Sequence, residues 1–273
     1  MDILNCFKIV PDLDMLPESG WISDDSNYID VSYLRALWNC FDESALAIAL
    51  RLSDKRADSA ESIRLHAITI GASFCEQYLK TLFALGFDLA VRVECDKDLR
   101  FRPEMISKII AAYAKRSESC DVIMMGQQST DGNNEKTPLL VAEYLGFRCV
   151  TQVADVISFE TDRLVVECNT DEGVLIQTIN TPCVLSVGNA SLSYLRVPTL
   201  KDKLTLGKRP ILKLTPAELG VDLADDEPEP EVSLLRMLHI CKSRTAEKIE
   251  GATPSEKAEK LYRLYLKKRL ENI

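Results

Sequence analysis

The sequence predicts a doubly wound α/β domain with a mostly parallel sheet, an antiparallel hairpin extension and a C-terminal helical arm. Strand-like and helix-like patterns alternate through residues 1–146, which is typical of a parallel sheet with helices on both faces. Strand-like segments then follow one another across short turns, and this spacing predicts hairpins. Finally, an acidic, proline-rich run at 225–231 precedes a strong helix start at Thr253.

The alternating half contains four strand patterns and four helix patterns. Apolar residues recur at intervals of three and four in the helices, and they form short runs or alternate in the strands. The predicted strands are 3–10, 63–70, 89–94 and 121–125, and the predicted helices are 44–52, 76–85, 103–115 and 139–145. Gly86 and Gly146 follow two of these helices, as expected of residues that end a helix.

The second half is predicted to consist mainly of strands joined by short turns. The segments with this pattern are residues 149–159, 163–168, 174–179 and 183–187. Strands at such spacing typically pair with their neighbours in the chain, so antiparallel hairpins that extend the sheet are expected.

These patterns divide the chain into an α/β domain at 1–190, a connector at 191–223, and a linker with a C-terminal helical arm at 224–273. Thr253, with Glu256 three residues later, predicts the start of a helix that runs to about residue 270. The arm is too small to form a core of its own. It is therefore expected to dock on the main domain or on a partner.

Composition and charge exclude several functional classes. The net charge of −9 argues against generic nucleic-acid binding, which needs a basic face. The nine cysteines are scattered without a CxxC pair, as expected of reduced thiols rather than of disulfides or an iron–sulfur site. No apolar run approaches the roughly 18 residues of a membrane span, and the first residues lack the pattern of a signal peptide. We therefore expect a cytoplasmic protein without membrane insertion.

The polar loop at 126–137 is the predicted ligand site. It follows the strand at 121–125 and precedes a helix for which Thr137 is a candidate N-cap and Pro138 a candidate first residue. In open α/β sheets, ligands bind at the carboxyl ends of the strands, and the N-terminus of a helix suits a phosphate. An ordinary capped turn between a strand and a helix is the alternative.

Three further segments are expected at the same edge of the sheet. Two of them surround Val10 and Gly71, which end predicted strands, and the third, at 39–42, is polar and precedes a helix. Loops at the carboxyl ends of adjacent parallel strands converge on one crevice. The sequence therefore predicts one shared site for these segments and the loop at 126–137.

Motifs for common nucleotide and hydrolytic chemistry are absent from the sequence. It contains no GxxxxGK[ST] loop, no GxGxxG after the first strand, no GxSxG and no HExxH. Its two histidines, His66 and His239, leave little basis for a histidine-centred site. His66 lies in a predicted strand, where a satisfied core residue is expected. We predict no catalytic residue and no metal site in this chain.

Short motifs distributed over nearly the whole chain carry a family likeness. They are KIVPD at 8–12, NCFDE at 39–43 with the helix ALAIALRL at 45–52, LFALGFD at 82–88, GQQ at 126–128 with TDG at 130–132, and LGVDL at 219–223. Each motif alone is weak, but together and in this order they are specific. By these motifs the chain resembles the beta subunit of electron-transfer flavoproteins, the FixA-like group.

The resemblance implies a Rossmann-like domain that binds an adenine nucleotide and pairs with an FAD-carrying alpha subunit. The family's beta subunit holds either AMP or the ADP half of a second FAD. The pair passes electrons between a flavin-dependent dehydrogenase and an acceptor, and no side chain need act as acid, base or nucleophile, because the flavin supplies the redox chemistry. Carried over by position, the cofactor contacts are expected at Cys6, Asn39, Cys40, Phe41, Asp42, Ile70, Thr130, Asp131, Gly132, Asn133, Asn134, Glu135, Lys136, Thr137, Pro138, Leu139, Leu140 and Val141.

The main loop departs from the common pattern of this family, which has a run of aspartates and then Asn-Gln-Thr-Gly-Gln. The pair Asp131 and Gly132 is closer to the electron-bifurcating type, whereas Glu135 and Pro138 match neither type. Glu135 would repel a phosphate, Lys136 would offset that charge, and Pro138 removes one N–H donor. The sequence is compatible with either AMP or FAD as the bound nucleotide.

A second family feature lies at 196–203, within the connector. In the common type this region is a partner-recognition loop that inserts a leucine into a dehydrogenase. Leu200 occupies that position here, but Lys-Asp-Lys follows it in place of the usual Pro-Asn-Ile. The resemblance thus implies a partner contact at Leu200, and a plain surface loop with one exposed apolar residue is the alternative.

Two other functions are compatible with the predicted architecture. A nucleotide-binding regulatory module of the universal-stress type would work without flavin, form a homodimer and need no partner subunit. An ATP-pyrophosphatase-like enzyme fits the residues less well, because no Ser-Gly-Gly-x-Asp-Ser loop follows the first strand.

Overall fold

The computed structural model describes residues 1–21, 28–55, 62–95, 97–117, 119–160, 162–223, 234 and 246–271. Its strands are β1 (Asp2–Cys6), β2 (Ile9–Pro11), β3 (Ala36–Trp38), β4 (Arg64–Ile70), β5 (Leu89–Val93), β6 (Val122–Gly126), β7 (Arg148–Phe159), β8 (Arg163–Thr170), β9 (Gly173–Asn180), β10 (Cys183–Val187) and β11 (Leu212–Leu214). Its α-helices are α1 (Cys40–Lys55), α2 (Glu76–Leu85), α3 (Pro103–Arg116), α4 (Thr137–Leu145), α5 (Leu200–Thr205), α6 (Pro254–Leu261) and α7 (Lys267–Leu270).

A nine-stranded sheet forms the centre of the fold, in the order β11-β5-β4-β1-β6-β10-β7-β8-β9. Neighbouring strands are parallel from β11 to β7, and β8 and β9 add an antiparallel extension. Every residue of β1 and β10 is buried, which is typical of strands that are covered on both faces. The predicted α/β class with a mostly parallel sheet is thereby confirmed.

Helices cover both faces of the sheet, and each face has its own apolar core. On one face, α1 and α2 contribute buried side chains that include Leu46 and Phe83. On the other face, α3 and α4 contribute buried side chains such as Ile109. Gly86 and Gly146 end α2 and α4 in the left-handed conformation, as predicted. The alternating sequence pattern therefore winds the chain on both sides of the sheet.

The position of β10 corrects the predicted hairpin arrangement. Segments β7, β8 and β9 form the expected antiparallel hairpins, but β10 does not pair with β9. It lies in the middle of the sheet, parallel to both β6 and β7. All five residues of this mainly apolar strand are buried. A strand that is buried on both faces favours a central parallel position, even where a short turn precedes it.

The predicted strand at 3–10 is in fact two strands. β1 ends at Cys6, and β2 begins at Ile9 and pairs antiparallel with β3 in a separate two-stranded sheet. The chain turns between them because the backbone N–H of Lys8 donates to the carboxylate of Asp42 at 2.9 Å rather than to a neighbouring strand. The turn places Lys8 at the carboxyl edge of the main sheet.

The C-terminal arm begins as predicted. The Thr253 hydroxyl accepts a hydrogen bond from the N–H of Glu256 at 3.3 Å, and the helical segment continues through a π-helical stretch, Tyr262–Leu266, to the end of α7. Every residue from 252 to 271 is exposed, so nothing in the described part of the chain covers the arm. The predicted linker at 225–231 lies outside the described residues. None of the described helices is both long and apolar enough to cross a bilayer.

The cysteines in the described residues are free thiols. Four of them, Cys6, Cys75, Cys168 and Cys183, are buried. Burial raises the pKa of Cys183 to about 12, and it raises the pKa of Cys120 to the same range. Because the thiolate is the reactive form, these thiols are protonated and poorly nucleophilic at neutral pH.

Candidate functional site

A cavity of about 330 Å³ opens at the carboxyl ends of β1, β4 and β6, where the sequence predicts the ligand site. This volume lies within the range of small-molecule pockets, which begins at about 300 Å³. Apolar side chains from the strand ends and from α3 form one side, and polar loop residues form the other. The lining residues are Cys6, Phe7, Lys8, Asn39, Asp42, Ile68, Thr69, Ile70, Gly71, Cys95, Lys97, Leu99, Arg100, Ile106, Ile110, Met125, Gly126, Gln127, Gln128, Ser129, Asp131, Gly132, Asn134 and Thr137.

The predicted site residues divide into two groups. The structure brings one group together around the cavity: Cys6, Asn39, Asp42, Ile70, Asp131, Gly132, Asn134 and Thr137. The other group lies near it but does not line it: Cys40, Phe41, Thr130, Asn133, Glu135, Lys136, Pro138, Leu139, Leu140 and Val141. Residues of the second group that belong to α4, such as the fully buried Val141, face the core or the solvent instead.

Asp42 is a buried carboxylate that joins three segments of the site. It accepts hydrogen bonds from the backbone N–H of Lys8 at 2.9 Å, from the side-chain amide of Asn39 at 2.9 Å and from the backbone N–H of Gly126 at 2.6 Å. Burial raises the pKa of Asp42 to about 6, although the three hydrogen bonds oppose this rise. One side chain at the start of α1 thus fixes both the β1–β2 turn and the end of β6.

The titration of Asp42 predicts a pH dependence of stability. The folded protein takes up a proton as the pH falls through about 6, whereas the unfolded chain takes it up near the usual value of 3.8. Lowering the pH between these values therefore stabilises the folded state. We expect the free energy of unfolding of the wild type, minus that of Asp42→Asn, to increase from about pH 7 to about pH 5 in urea titrations. A difference that stays constant with pH would contradict the raised pKa.

Asn39 connects α1 to the loop after β6. Its side-chain amide donates to Asp42 and to the carbonyl of Gln128 at 2.8 Å, and its side-chain oxygen accepts from the N–H of Thr130 at 3.3 Å. Its backbone N–H also donates to the carbonyl of Lys8 at 3.0 Å. Asn39 is almost completely buried, so these bonds satisfy polar groups that water does not reach.

Gly126, the last residue of β6, allows the loop to pass very close to α1. A Cβ atom there would lie 2.6 Å from the Cβ of Phe41 and 2.8 Å from the backbone nitrogen of Asp42. Contacts of this length require the backbone to shift. Gly126 is therefore the residue that permits the close approach on which the Asp42 hydrogen bond depends.

Substitution of Gly126 by alanine is expected to lower the free energy of unfolding by about 1–3 kcal/mol, as overpacking of a close-packed interior does. Gly132→Ala is the matched control, since a Cβ there would meet only the hydroxyl of Ser129 at 3.3 Å. Urea unfolding of both variants measures the difference. Equal stability of the two variants would contradict the close approach at Gly126.

The loop after β6 offers few free donors at the start of α4. The helix begins at Thr137 without a side-chain cap, so Thr137 is not the N-cap that its position suggests. Pro138 lacks an N–H, and the N–H of Lys136 donates to the side chain of Asn134 at 3.1 Å. Glu135 lies at φ +57°, in the left-handed region. The backbone of the loop is thus shaped partly by its own polar side chains.

Three cationic side chains line the cavity. Lys8 forms an ion pair with Asp131 across its edge, with Nζ and Oδ2 2.6 Å apart. On the far side, Lys97 donates to the carbonyl of Leu223, and Arg100 pairs with Asp98. Burial opposes the ionisation of Asp131, but the charge and hydrogen bond of Lys8, together with hydrogen bonds from Ser129 and the backbone, hold the pKa of Asp131 below its usual value.

Sequence reasoning missed one side of the cavity. The segment after β5 contributes Cys95, Lys97, Leu99 and Arg100, and α3 contributes Ile106 and Ile110. The strand-end rule would have indicated the segment after β5, because β5 is a parallel neighbour of β4. The cavity-facing positions of α3 carry no local signal, since isoleucine on a helix is equally typical of the core.

Comparison with known proteins decides the family. A model described as "Electron transfer flavoprotein domain" matches residues 33–219. A protein of Escherichia coli (strain K12), provisionally named electron transfer flavoprotein subunit YgcR, is 33% identical over 276 residues, which cover 99% of this chain and 100% of that protein. The chain belongs to the electron transfer flavoprotein beta-subunit family.

More distant relatives of the electron transfer flavoprotein family also match. The protein named electron transfer flavoprotein subunit beta in Bacillus subtilis (strain 168) is 28% identical over 252 residues, or 90% of each chain. The human protein of the same name is 28% identical over 187 residues, which cover 68% of this chain and 71% of the human one. The domain match contains most of the cavity and ends before the C-terminal arm.

Leu200, the predicted partner contact, lies at the start of α5 in this family member. Leu200 is 72% exposed, and nearby Tyr194, Val197 and Leu204 are also exposed. The hydroxyl of Thr199 caps the helix by accepting from the N–H of Asp202 at 3.1 Å. The structure therefore presents several apolar side chains in this segment, rather than one.

Proposed function

We propose that this electron transfer flavoprotein subunit binds an adenine nucleotide in the cavity at the carboxyl edge of its sheet. The observation that carries the proposal is the combination of apolar strand ends, a polar loop and Lys8 around one cavity of about 330 Å³. AMP and the ADP half of FAD share the adenosine phosphate that such a cavity suits. Both are therefore retained as the nucleotide.

The residues around the cavity fit the parts of this ligand. Ile68, Ile70 and Ile110 offer an apolar surface for the base. Within the described residues, the buried Oε1 of Gln127 has no hydrogen-bond partner, so it would accept an N–H or O–H of the ligand. Asn39 and Asp42 hold the loop in place rather than reacting with the ligand.

We further propose that the chain pairs with an FAD-carrying alpha subunit and serves electron transfer between a flavin-dependent dehydrogenase and an acceptor. FAD, when bound, would supply the redox chemistry. This chain would bind and orient the nucleotide and present surfaces to its partners. Two exposed apolar surfaces support this proposal: the segment around Leu200 and the C-terminal arm. The same proposal includes the division of the chain into a domain at 1–190, a connector at 191–223 and an arm at 224–273. It also includes a cytoplasmic location.

The experiment is to co-purify the full chain with its alpha subunit, denature the complex and quantify released FAD and AMP by chromatography. Two FAD and no AMP per heterodimer would assign FAD to the cavity, and one of each would assign AMP. One FAD without AMP would contradict nucleotide binding by this chain. A chain that binds no alpha subunit and forms a homodimer would instead support the regulatory module.

A further inference from the structure

An ion pair spans the edge of the cavity. Lys8 comes from the turn between β1 and β2, and Asp131 comes from the loop after β6. Their charged atoms lie 2.6 Å apart, and both side chains line the cavity. The side chain of Asp131 is 26% exposed and that of Lys8 is 48% exposed, so the pair lies between the cavity and the solvent. A ligand in the cavity therefore meets this pair directly.

The usual source of positive potential for a phosphate is weak in this loop. The N-terminus of α4 has lost one N–H to Pro138, and the N–H of Lys136 already donates to Asn134. Glu135 lies two residues before the helix start and adds a negative charge, which Lys136 at the N-cap position offsets. Lys136 does not line the cavity, so a phosphate bound inside the cavity needs a cation from another segment.

Lys8 is the cation best placed to supply that charge. Lys97 and Arg100 also line the cavity, but they lie in the segment after β5, and Arg100 is held by Asp98 at 2.7 Å. Lys8 contacts the loop after β6 itself through Asp131. Its backbone is fixed by the bond from its N–H to Asp42, so only its long side chain needs to move.

We infer that Lys8 neutralises the phosphate of the bound nucleotide and that Asp131 competes with the phosphate for it. The inference rests on the proposed nucleotide binding and adds a specificity-determining pair to it. In the free protein the ammonium of Lys8 pairs with the carboxylate of Asp131. In the complex it pairs with the phosphate of the nucleotide instead. Ser129 donates a hydrogen bond to Asp131, so the carboxylate keeps one partner after the exchange. Adenosine, which has no phosphate, does not engage the pair.

The direction in which Asp131→Asn changes the affinity for AMP tests this exchange. The full-length chain is freed of bound nucleotide, and calorimetry measures its binding of AMP, ADP, FAD and adenosine. Asp131→Asn is expected to bind AMP about fivefold more tightly, because it removes a competing anion. Lys8→Met is expected to bind AMP at least about tenfold more weakly, and Lys8→Arg within about threefold of the wild type. Neither position should change the affinity for adenosine.

Asp171→Asn is the matched control, since Asp171 is an exposed residue in the turn between β8 and β9. It removes the same charge away from the cavity and should leave AMP binding unchanged. Thermal melts establish that each variant is folded.

Two failures are distinguishable. If the wild type binds AMP, but Asp131→Asn binds it equally or more weakly, Asp131 is not a competitor and the inference is overturned, while the proposed function stands. If Asp131→Asn weakens adenosine as well, Asp131 contacts the nucleoside itself, which also overturns the exchange. If neither the wild type nor any variant binds AMP, ADP or FAD, the proposed function fails and the inference fails with it.

Discussion

Replacing Asp42 by alanine is expected to lower the free energy of unfolding by about 3–5 kcal/mol and to abolish the proposed binding of a nucleotide by the purified complex. The carboxylate is buried, and it accepts from the N–H groups of Lys8 and Gly126 and from the amide of Asn39. Without the carboxylate, these three donors lose their shared acceptor in a part of the protein where little water can replace it. The β1–β2 turn, α1 and β6 then no longer hold the cavity together. Urea unfolding and chromatography of released nucleotide measure the two effects.

Glu43 is the neighbouring control for this prediction. It accepts one hydrogen bond, from the N–H of Leu195 at 3.0 Å, and the oxygen of a glutamine would still accept it. Glu43→Gln is therefore expected to change stability by less than about 1 kcal/mol. Asp42→Asn retains one acceptor oxygen and should lie between the two. If Asp42→Ala keeps its nucleotide and is about as stable as Glu43→Gln, Asp42 does not organise the site.

Deletion of residues 246–273 is expected to abolish co-purification with the alpha subunit and to leave the α/β domain folded. Every residue from 252 to 271 is exposed, so the deletion removes nothing from the described core. The arm nevertheless exposes a cluster of large apolar side chains, which is typical of a surface that binds a partner. These side chains are Leu261, Tyr262, Leu264, Tyr265, Leu266 and Leu270. At roughly 1 kcal/mol or more for each side chain that a partner covers, their loss would weaken association by more than about a thousandfold. Pull-down with a tagged alpha subunit measures the loss.

Two pairs of substitutions within the arm distinguish the effect of losing its apolar contacts from the effect of shortening the chain. Leu264→Ser and Leu270→Ser should weaken the heterodimer, because both side chains are more than half exposed in this chain and apolar. Lys257→Ser and Lys268→Ser change exposed charged residues of the same segment and should have little effect. A truncated chain that still co-purifies with the alpha subunit would disprove the role of the arm.

The helices of this fold were largely predictable because their signals are local. The helix α2 ends where Gly86 takes the left-handed conformation, and α3 begins at Pro103, as the sequence predicts. The direction of β10 was not predictable, since it depends on the partner strands β6 and β7. The turn at Lys8 also escaped prediction, because it depends on a hydrogen bond to Asp42, 34 residues away.

The site was predictable to the extent that strand ends identify it. The segments at Gly71, at 39–42 and at 126–137 do meet at one cavity, as the parallel sheet requires. The resemblance also implied contacts at Lys136 and Pro138, which do not line the cavity. The conformation of that loop depends on left-handed residues and side-chain bonds that no sequence pattern of helix or strand encodes.

The central place of β10 has a consequence for how the protein is made on the ribosome. The first 146 residues alternate like a complete α/β unit, yet β6 gains its second neighbour only when the chain has reached Val187. Until then the nascent chain carries an open strand edge beside Gly126 and the cavity loop. Both antiparallel turns must emerge before β10 inserts and closes that edge. Closure of the sheet beside the cavity is therefore a late event of synthesis, and the unfinished chain exposes a strand edge of the kind that promotes aggregation.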